Sequence, residues 1–338
     1  MRERFALQVE FGIVQERRTA MVRSRHLLIS VLSLILFVAG GFLLLRAISF
    51  RPPVDVVIPL AGDQGTAEAS DPEAPVLRVA VSAMISPRDT FESYAGFVDY
   101  IATHLDMRSE LVVRKTYEEV NQLIIDDEVD LAFICTGAYV LTDYRDQMRV
   151  IVAPVVRGDE YYYSDIIVPI DSPVRSLAEL QGKSFAYVDE LSNTGRGAPR
   201  RLLESRGIDP DTFFAETLMT GSHDKSVRVV GSGLVEGAAI DHLIRDAMLL
   251  EEDELALRTR CVERIGPFGM PPVVVPTTLD ERLAQRLQAV FLEAHEDPEA
   301  REFLDKLGID RFRVPSPAEY DAVTDIESIR SAIVNERR

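Results

Sequence analysis

The chain has 338 residues, enough for two domains of ordinary size, with the apolar and charged content of a globular protein. Its formal net charge of −18 argues against a nucleic-acid partner, because binding a phosphate backbone requires a surplus of Lys and Arg on one face. A small anionic ligand is not excluded, since a buried site can bind an anion through neutral dipoles and backbone N–H groups.

The first informative segment is the uncharged run Leu27–Leu45, which is long enough to cross a bilayer as a helix. Arginines precede it and little positive charge follows, which predicts residues 1–26 in the cytoplasm and the rest of the chain outside it. We therefore predict a transmembrane anchor over residues 27–48. A cleaved signal peptide is the alternative, although the apolar core is long and no A-x-A site follows it closely. Met21 is an alternative start.

Residues 49–76 are rich in Pro, Gly, Ala and acidic residues and have no helical or strand period, which predicts a flexible tether. Strand and helix patterns then alternate. "VLRVAVSA" predicts a strand, and Ser86 before Pro87 predicts the start of a helix. The predicted apolar face of that helix is Phe91, Tyr94, Val98, Ile101 and Leu105. "ELVVRK", "YEEVNQLIIDD" and "VDLAFI" complete a βαβαβ pattern, which implies a parallel sheet covered on both faces.

A second α/β unit follows, with "SLAELQGK" as a helix, "SFAYVD" as a strand and "APRRLLESRG" as a helix. The chain then returns through "PPVVVP" to two more helices. The fold class is therefore α/β with two lobes: residues 77–168 plus 267–338 form the first lobe and residues 169–266 the second. Ligands of such folds bind beyond the carboxyl ends of parallel strands, so we expect a site in the cleft.

The strongest candidate for that site is "DELSNTGRGAPR", in which Ser192, Asn193, Thr194 and Gly195 lie between a strand and a helix. Two hydroxyls, an amide and free backbone N–H groups at a helix start suit a tetrahedral oxyanion. An ordinary helix cap is the alternative, because capping requires only one such residue. The local sequence leaves both interpretations open.

Two further segments carry candidate ligand-binding residues. In "TGSHDKS", the Ser222 hydroxyl and a ring N–H of His223 can donate to an anion; the alternative is a surface histidine before an aspartate that caps the next helix. Tyr139 lies just past the third strand, at the expected edge of the cleft. We also expect at least one tyrosine of the run 161–163 to pack between the lobes.

The sequence predicts no catalytic group, metal site or cofactor. It has no GxSxG motif, no Walker loop and no HExxH or similar histidine cluster. Cys135 lies in an apolar run and is interpreted as a buried thiol; a disulfide with Cys261 is allowed in an oxidising compartment but cannot be inferred from the sequence. An enzyme is therefore the least favoured class.

Taken together, these segments resemble one family, the periplasmic phosphate, phosphite or phosphonate-binding components (PhnD-like) of ABC transporters. The resemblance covers about residues 77–322. It rests on "LRVAVSAMISPRDTFESYAGFVDYI", "VDLAFICTGAYV", "YYYSDIIVPIDSPVRSLAELQGKSFAYVD", "SNTGRGAPRRLLESRGIDP" and "TGSHDKSVRVVGSGLVEGAAID". It implies a type II periplasmic-binding-protein fold whose lobes close on the ligand. It also implies that the Ser192–Gly195 motif holds the ligand oxygens, together with His223 and Tyr139.

Two features depart from the family pattern. Asn193 replaces a hydroxyl with an amide, and "IGPFGMPPVVVP" has no acidic residue where some phosphonate binders have an Asp for a ligand amine. Phosphate, phosphite or a small neutral-tailed phosphonate is therefore better supported than an aminoalkylphosphonate. The expected function is a membrane-tethered binding protein, outside the cytoplasm, that delivers a phosphorus oxyanion to an ABC permease. The alternative is an anchored sensory module that signals to a partner membrane protein.

Overall fold

The computed structural model describes residues 57–59, 73–321 and 323. The predicted cytoplasmic segment and transmembrane anchor, residues 1–48, lie outside this part of the chain. Among the described residues, no helix combines the length and the apolar character that a membrane crossing requires.

Two β-sheets, each with its own helices, organise the described chain. The strands are β1 Val57–Pro59, β2 Val76–Val81, β3 Arg108–Val113, β4 Leu131–Phe133, β5 Met148–Val156, β6 Tyr161–Pro169, β7 Ser184–Tyr187, β8 Glu216–Met219, β9 Gly237–Asp241, β10 Thr259–Gly269, β11 Val273–Pro276 and β12 Ile309–Arg313. The α-helices are α1 Pro87–Thr103, α2 Tyr117–Ile125, α3 Thr136–Val140, α4 Ala198–Ser205, α5 Pro210–Phe213, α6 His223–Gly231, α7 His242–Leu250, α8 Glu281–Glu293, α9 Pro298–Leu307 and α10 Ala318–Asp321.

The first lobe is built on a seven-stranded sheet of order β1-β3-β2-β4-β11-β5-β12. Strands β3, β2 and β4 are parallel, as the βαβαβ pattern predicts, but β1, β11, β5 and β12 join the sheet antiparallel. The sheet is therefore mixed. Apolar side chains of α1, α8 and α9 cover one face, and those of α2 cover the other. The predicted apolar face of α1 packs into this core.

The second lobe is built on a five-stranded sheet of order β10-β6-β9-β7-β8. Strands β8, β7 and β9 are parallel, whereas β6 and β10 are antiparallel additions. Buried residues of α4 pack on one face, and those of α6 and α7 pack on the other. Both sheets are thus covered on both faces, as expected for an α/β fold.

The observed sheet membership differs from the predicted lobe boundaries. All of β6 belongs to the second sheet, where it pairs with β9 and β10, so the chain leaves the first sheet between Val156 and Tyr161 and not at residue 168. It returns between Gly269 and Val273, beyond the predicted residue 266. The tether prediction, residues 49–76, is also interrupted, because Val57–Pro59 pairs with β3.

Local capping explains where helix α2 begins, the helix that contributes Tyr117 to the site. The Thr116 hydroxyl accepts a hydrogen bond from the backbone N–H of Glu119, and the Glu119 carboxylate accepts from the backbone N–H of Thr116. This capping box satisfies two of the N–H groups that a helix start leaves without intrahelical partners. Helix α2 therefore begins at Tyr117, directly after β3 and at the carboxyl edge of the sheet.

Candidate ligand-binding site

The carboxyl ends of six strands, three from each sheet, carry the polar residues of the site. In the first lobe, Ser82 follows β2, Tyr117 follows β3 and Thr136 follows β4. In the second lobe, Ser192 follows β7, Ser222 follows β8 and Asp241 ends β9. Since the strands of each set of three are parallel, their ends lie at one edge of each sheet. All six of these polar side chains are buried.

The two lobes touch each other directly at these strand ends. The backbone N–H of His223 donates to the carbonyl oxygen of Met84 at 3.0 Å, and the backbone N–H of Tyr117 donates to the Asp189 carboxylate at 3.2 Å. Gly137 allows the closest approach, because a Cβ there would lie 2.1 Å from the carbonyl oxygen of Leu191. Any larger residue at position 137 would hold the lobes apart.

The motif Ser192–Gly195 acts as a cap and also presents hydroxyl groups. The Ser192 hydroxyl oxygen accepts from the backbone N–H of Gly195 at 3.0 Å, and residues Asn193–Gly197 form one π-helical turn that continues into α4. The cap uses a lone pair of Ser192, so its hydroxyl proton stays available as a donor. The two interpretations of the sequence are therefore compatible.

Four hydroxyl groups at the lobe junction are buried and have no hydrogen-bond partner among the described residues. They belong to Ser82, Tyr117, Thr194 and Ser222. Leaving a buried polar group unpaired costs about 1–3 kcal/mol of stability. Such groups are rare in native structures, which makes these four hydroxyls candidate contacts for a bound ligand. Each of the four can donate one hydrogen bond.

His223 is held as a neutral donor. Its Nδ1 accepts a hydrogen bond of 2.9 Å from the backbone N–H of Asp241, so the ring proton of the neutral imidazole resides on Nε2. Burial lowers the pKa of His223, although the carboxylates of Asp241 and Asp224 oppose this shift. The imidazole can therefore donate through Nε2 without carrying a charge, as the sequence analysis expected of a ring N–H.

The Asn193 side chain is bound on both sides by protein groups. Its Oδ1 accepts from Nη2 of Arg201 at 2.5 Å, and its Nδ2 donates to the Tyr162 hydroxyl oxygen at 3.3 Å. The orientation of the amide follows from chemistry, because a guanidinium has donors only. Asn193 thus joins a cation to a tyrosine at the lobe junction, a role that the sequence analysis did not anticipate.

Tyr139 lies in a different environment from the other candidates. Its ring packs edge-on against Tyr320, with centroids 5.2 Å apart, and the guanidinium of Arg145 lies 4.9 Å from its centroid. Tyr162 contacts the motif through Asn193, and Tyr117 contacts Asp189 just before it. Tyr162 is the member of the run 161–163 that is fully buried between the lobes. The signal in the sequence that could have identified Tyr117 is its position shortly after a predicted parallel strand.

A buried carboxylate and a buried thiol also lie at the junction. Asp189 accepts from the backbone N–H groups of Tyr117 and Leu191, yet burial raises its pKa above the ordinary value. Burial also raises the pKa of the Cys135 thiol to about 11, so it stays protonated at neutral pH. Cys135 and Cys261 are both free thiols. Within the described ranges, no cluster of His, Cys, Asp and Glu could hold a metal ion.

The fold and the site together define the class of bilobed α/β solute-binding proteins. The family model described as "ABC transporter, phosphonate, periplasmic substrate-binding protein" matches residues 79–320. The chain belongs to this family. It is accordingly a binding protein and not an enzyme.

Solved structures share the fold at low sequence identity. The chain is similar to a binding protein component of an ABC phosphonate transporter from Pseudomonas aeruginosa, with a TM-score of 0.70, 19% identity and coverage of 75% of this chain and 86% of that one. The chain is also similar to PhnD1 from Prochlorococcus marinus in complex with methylphosphonate, with a TM-score of 0.66, 18% identity and coverage of 76% of this chain and 99% of that one. A third similar structure is XAC2383 from Xanthomonas citri bound to ATP, with a TM-score of 0.63, 22% identity and coverage of 77% of this chain and 100% of that one.

The lowered pKa of His223 predicts a loss of stability in acid. An imidazole whose pKa is lower in the folded than in the unfolded protein stabilises the fold fully above the ordinary value of 6.5. That contribution is lost as the pH falls through 6.5 towards the folded pKa, because the unfolded chain binds the proton more tightly. In His223→Asn, which retains an acceptor for Asp241 and does not titrate, we expect a smaller decrease in the free energy of unfolding on acidification.

Urea denaturation at about pH 7.5 and about pH 5 measures this decrease, with the pH values chosen to bracket the ordinary imidazole pKa. Ser232→Ala, at an exposed serine just after α6 that does not titrate, is the control and should leave the decrease unchanged. Equal decreases in the wild type and His223→Asn would contradict the prediction.

Proposed function

We propose that this protein captures a small phosphorus oxyanion (phosphate, phosphite or a phosphonate) between its two lobes and delivers it to an ABC permease. The observation that carries the proposal is the set of four buried hydroxyls, contributed by both lobes, that have no partner in the described chain. A tetrahedral oxyanion has acceptor oxygens in several directions and can accept from donors on both sides of the junction. Membership of the family and the methylphosphonate complex of PhnD1 support the same ligand class.

In this proposal, the ligand links the lobes. Thr194 and Ser222 would donate from the second lobe, with Nε2 of His223 beside them, while Tyr117 and Ser82 would donate from the first. All of these donors are neutral, which agrees with the acidic composition of the chain. Hydrogen bonds to a charged acceptor are stronger than those between neutral groups, so affinity does not require a cage of Lys and Arg.

Calorimetric titration of the full-length protein tests the ligand class. We expect saturable binding of at least one anion among phosphate, phosphite and methylphosphonate, because each presents three or more acceptor oxygens. Sulfate is the comparison, since it has the same shape as phosphate but does not carry a proton at neutral pH. If none of the phosphorus anions binds, and mass spectrometry shows that no ligand was carried through purification, the proposal is wrong.

Removing single unpaired hydroxyls should affect binding and stability in opposite directions. For Thr194→Val, Ser222→Ala and Tyr117→Phe, we expect affinity for the bound anion to fall by about 2 kcal/mol each, the value of a hydrogen bond to a charged group. Without ligand, the free energy of unfolding should stay equal or rise, because each variant removes a buried hydroxyl that has no partner in the described chain.

Ser232→Ala is the control for these variants, because Ser232 is an exposed serine just after α6. It should change neither quantity. Calorimetry measures affinity and urea denaturation measures stability. Unchanged affinity in all three site variants would mean that the hydroxyls do not contact the ligand.

We also propose that residues 27–48 hold the protein in the membrane, with the binding lobes outside the cytoplasm. The uncharged run Leu27–Leu45 and the arginines before it support this arrangement. We expect the full-length chain to stay in membranes washed with alkaline carbonate, and a chain that starts at residue 49 to be soluble. Release of a shortened chain from the full-length protein would favour a cleaved signal peptide instead.

A further inference from the structure

The segment that follows β12 lies across both connections between the lobes. The first connection runs between β5 and β6 and contains Glu160, and the second runs between β10 and β11 and contains Met270. We call residues 314–321, which reach both connections, the strap. The described chain passes from one sheet to the other only at these two connections. Any rotation of one lobe against the other must therefore change the direction of the chain there.

Arg313, at the end of β12, joins the strap to the first connection. Its guanidinium donates twice to the Glu319 carboxylate, at 2.6 and 3.0 Å, and once to the carbonyl oxygen of Glu160, at 3.2 Å. The side chains of Arg313 and Glu319 are only 12% and 11% exposed. Two parallel N–H···O bonds give such an ion pair a defined direction. The guanidinium thus holds Glu319 of the strap next to Glu160 of the connection.

Tyr320 joins the strap to the second connection. Its hydroxyl donates to the carbonyl oxygen of Met270 at 3.1 Å, and both residues are buried. Gly269 allows the strap to come this close, because a Cβ at that position would lie 3.0 Å from the Cβ of Glu319. The Tyr320 ring also belongs to the apolar cluster that covers one face of the second sheet.

The strap is bound to the first lobe as well. Asp321 forms an ion pair with Arg145 at 2.8 Å, and the Tyr320 ring lies edge-on against Tyr139. Both partners precede β5 in the first lobe. The strap therefore contacts the first lobe, both connections and the core of the second lobe. Because these contacts are made in a structure whose lobes touch, separation of the lobes is expected to strain or break those that span the connections.

We propose that the strap is a conformational clamp: it stabilises the arrangement in which the lobes touch, and so sets how often they separate. Contacts that are made in only one of two conformations shift the equilibrium towards that conformation. This inference concerns the chain itself and does not require the proposed ligand. Under the proposed function it has a further consequence, since a weaker strap would let a captured anion leave sooner.

Hydrogen–deuterium exchange of the full-length protein without ligand tests the clamp. The backbone N–H groups of Tyr117 and His223 report separation of the lobes, because each donates across the junction. Tyr320→Phe removes only the hydroxyl that donates to Met270. In this variant we expect the two reporter amides to exchange about five-fold faster, the factor that corresponds to the loss of one typical hydrogen bond.

Tyr100→Phe is the matched control, because the Tyr100 hydroxyl also donates over 3.1 Å, but to Asp297 within the first lobe. It should leave the exchange of both reporter amides unchanged. The amides of β2 are the internal reference, since this strand lies between β3 and β4 and exchanges only when the first lobe itself unfolds. Wild-type exchange of the reporter amides in Tyr320→Phe overturns the inference. An equal acceleration in β2 also overturns it, because that result indicates a general loss of stability.

Should Tyr320→Phe fail to fold, Arg313→Lys takes its place. Lysine keeps the charge but cannot donate to Glu319 and Glu160 through one planar fork, so we expect faster exchange of the same reporter amides. The same outcomes decide the result. Failure of the proposed function, which appears as a wild type that binds none of the phosphorus anions, does not affect this test, because exchange is measured without ligand.

Discussion

Burial of unpaired hydroxyl groups at the lobe junction is the constraint on which the site depends. Three parallel strands from each sheet end there, and the polar residues that follow them are removed from water when the lobes meet. Ser82, Tyr117, Thr194 and Ser222 then have no partner in the described chain, and each such group opposes contact between the lobes by about 1–3 kcal/mol. Under the proposed function, a ligand with several acceptor oxygens relieves this cost on both sides at once and so couples ligand capture to lobe contact.

Backbone contacts hold the two lobes close together at this junction. Gly137 lies against Leu191, and the backbone of His223 is hydrogen-bonded to Met84 in the other lobe. In such an environment, electrostatic interactions are screened less than in water. Neutral donors can then hold an anion without a cage of Lys and Arg. The acidic composition of the chain is compatible with an anion site for the same reason.

Much of the fold could be predicted from local patterns, because amphipathic periodicity and caps depend on residues close in sequence. The strand Val76–Val81, the helix Pro87–Thr103 and the strand Ser184–Tyr187 are confirmed by the structure. The strand Thr259–Gly269 was not predicted, because its charged residues interrupt the alternation of apolar and polar residues that is typical of a strand. One of them, Arg264, makes a bidentate ion pair with the buried Asp165 of β6. Only the partner strand makes a charged residue acceptable there.

The sequence alone determined the order of most strands and helices, the polar motif at a strand end and the likeness to the family, since each depends on adjacent or regularly spaced residues. The tertiary structure decided which polar groups meet. It brings Tyr117 of one lobe to Asp189 of the other, and it turns Asn193 towards Tyr162 and Arg201. Hydrogen bonds between residues far apart in sequence leave no local pattern, because their geometry arises only when both sheets are assembled.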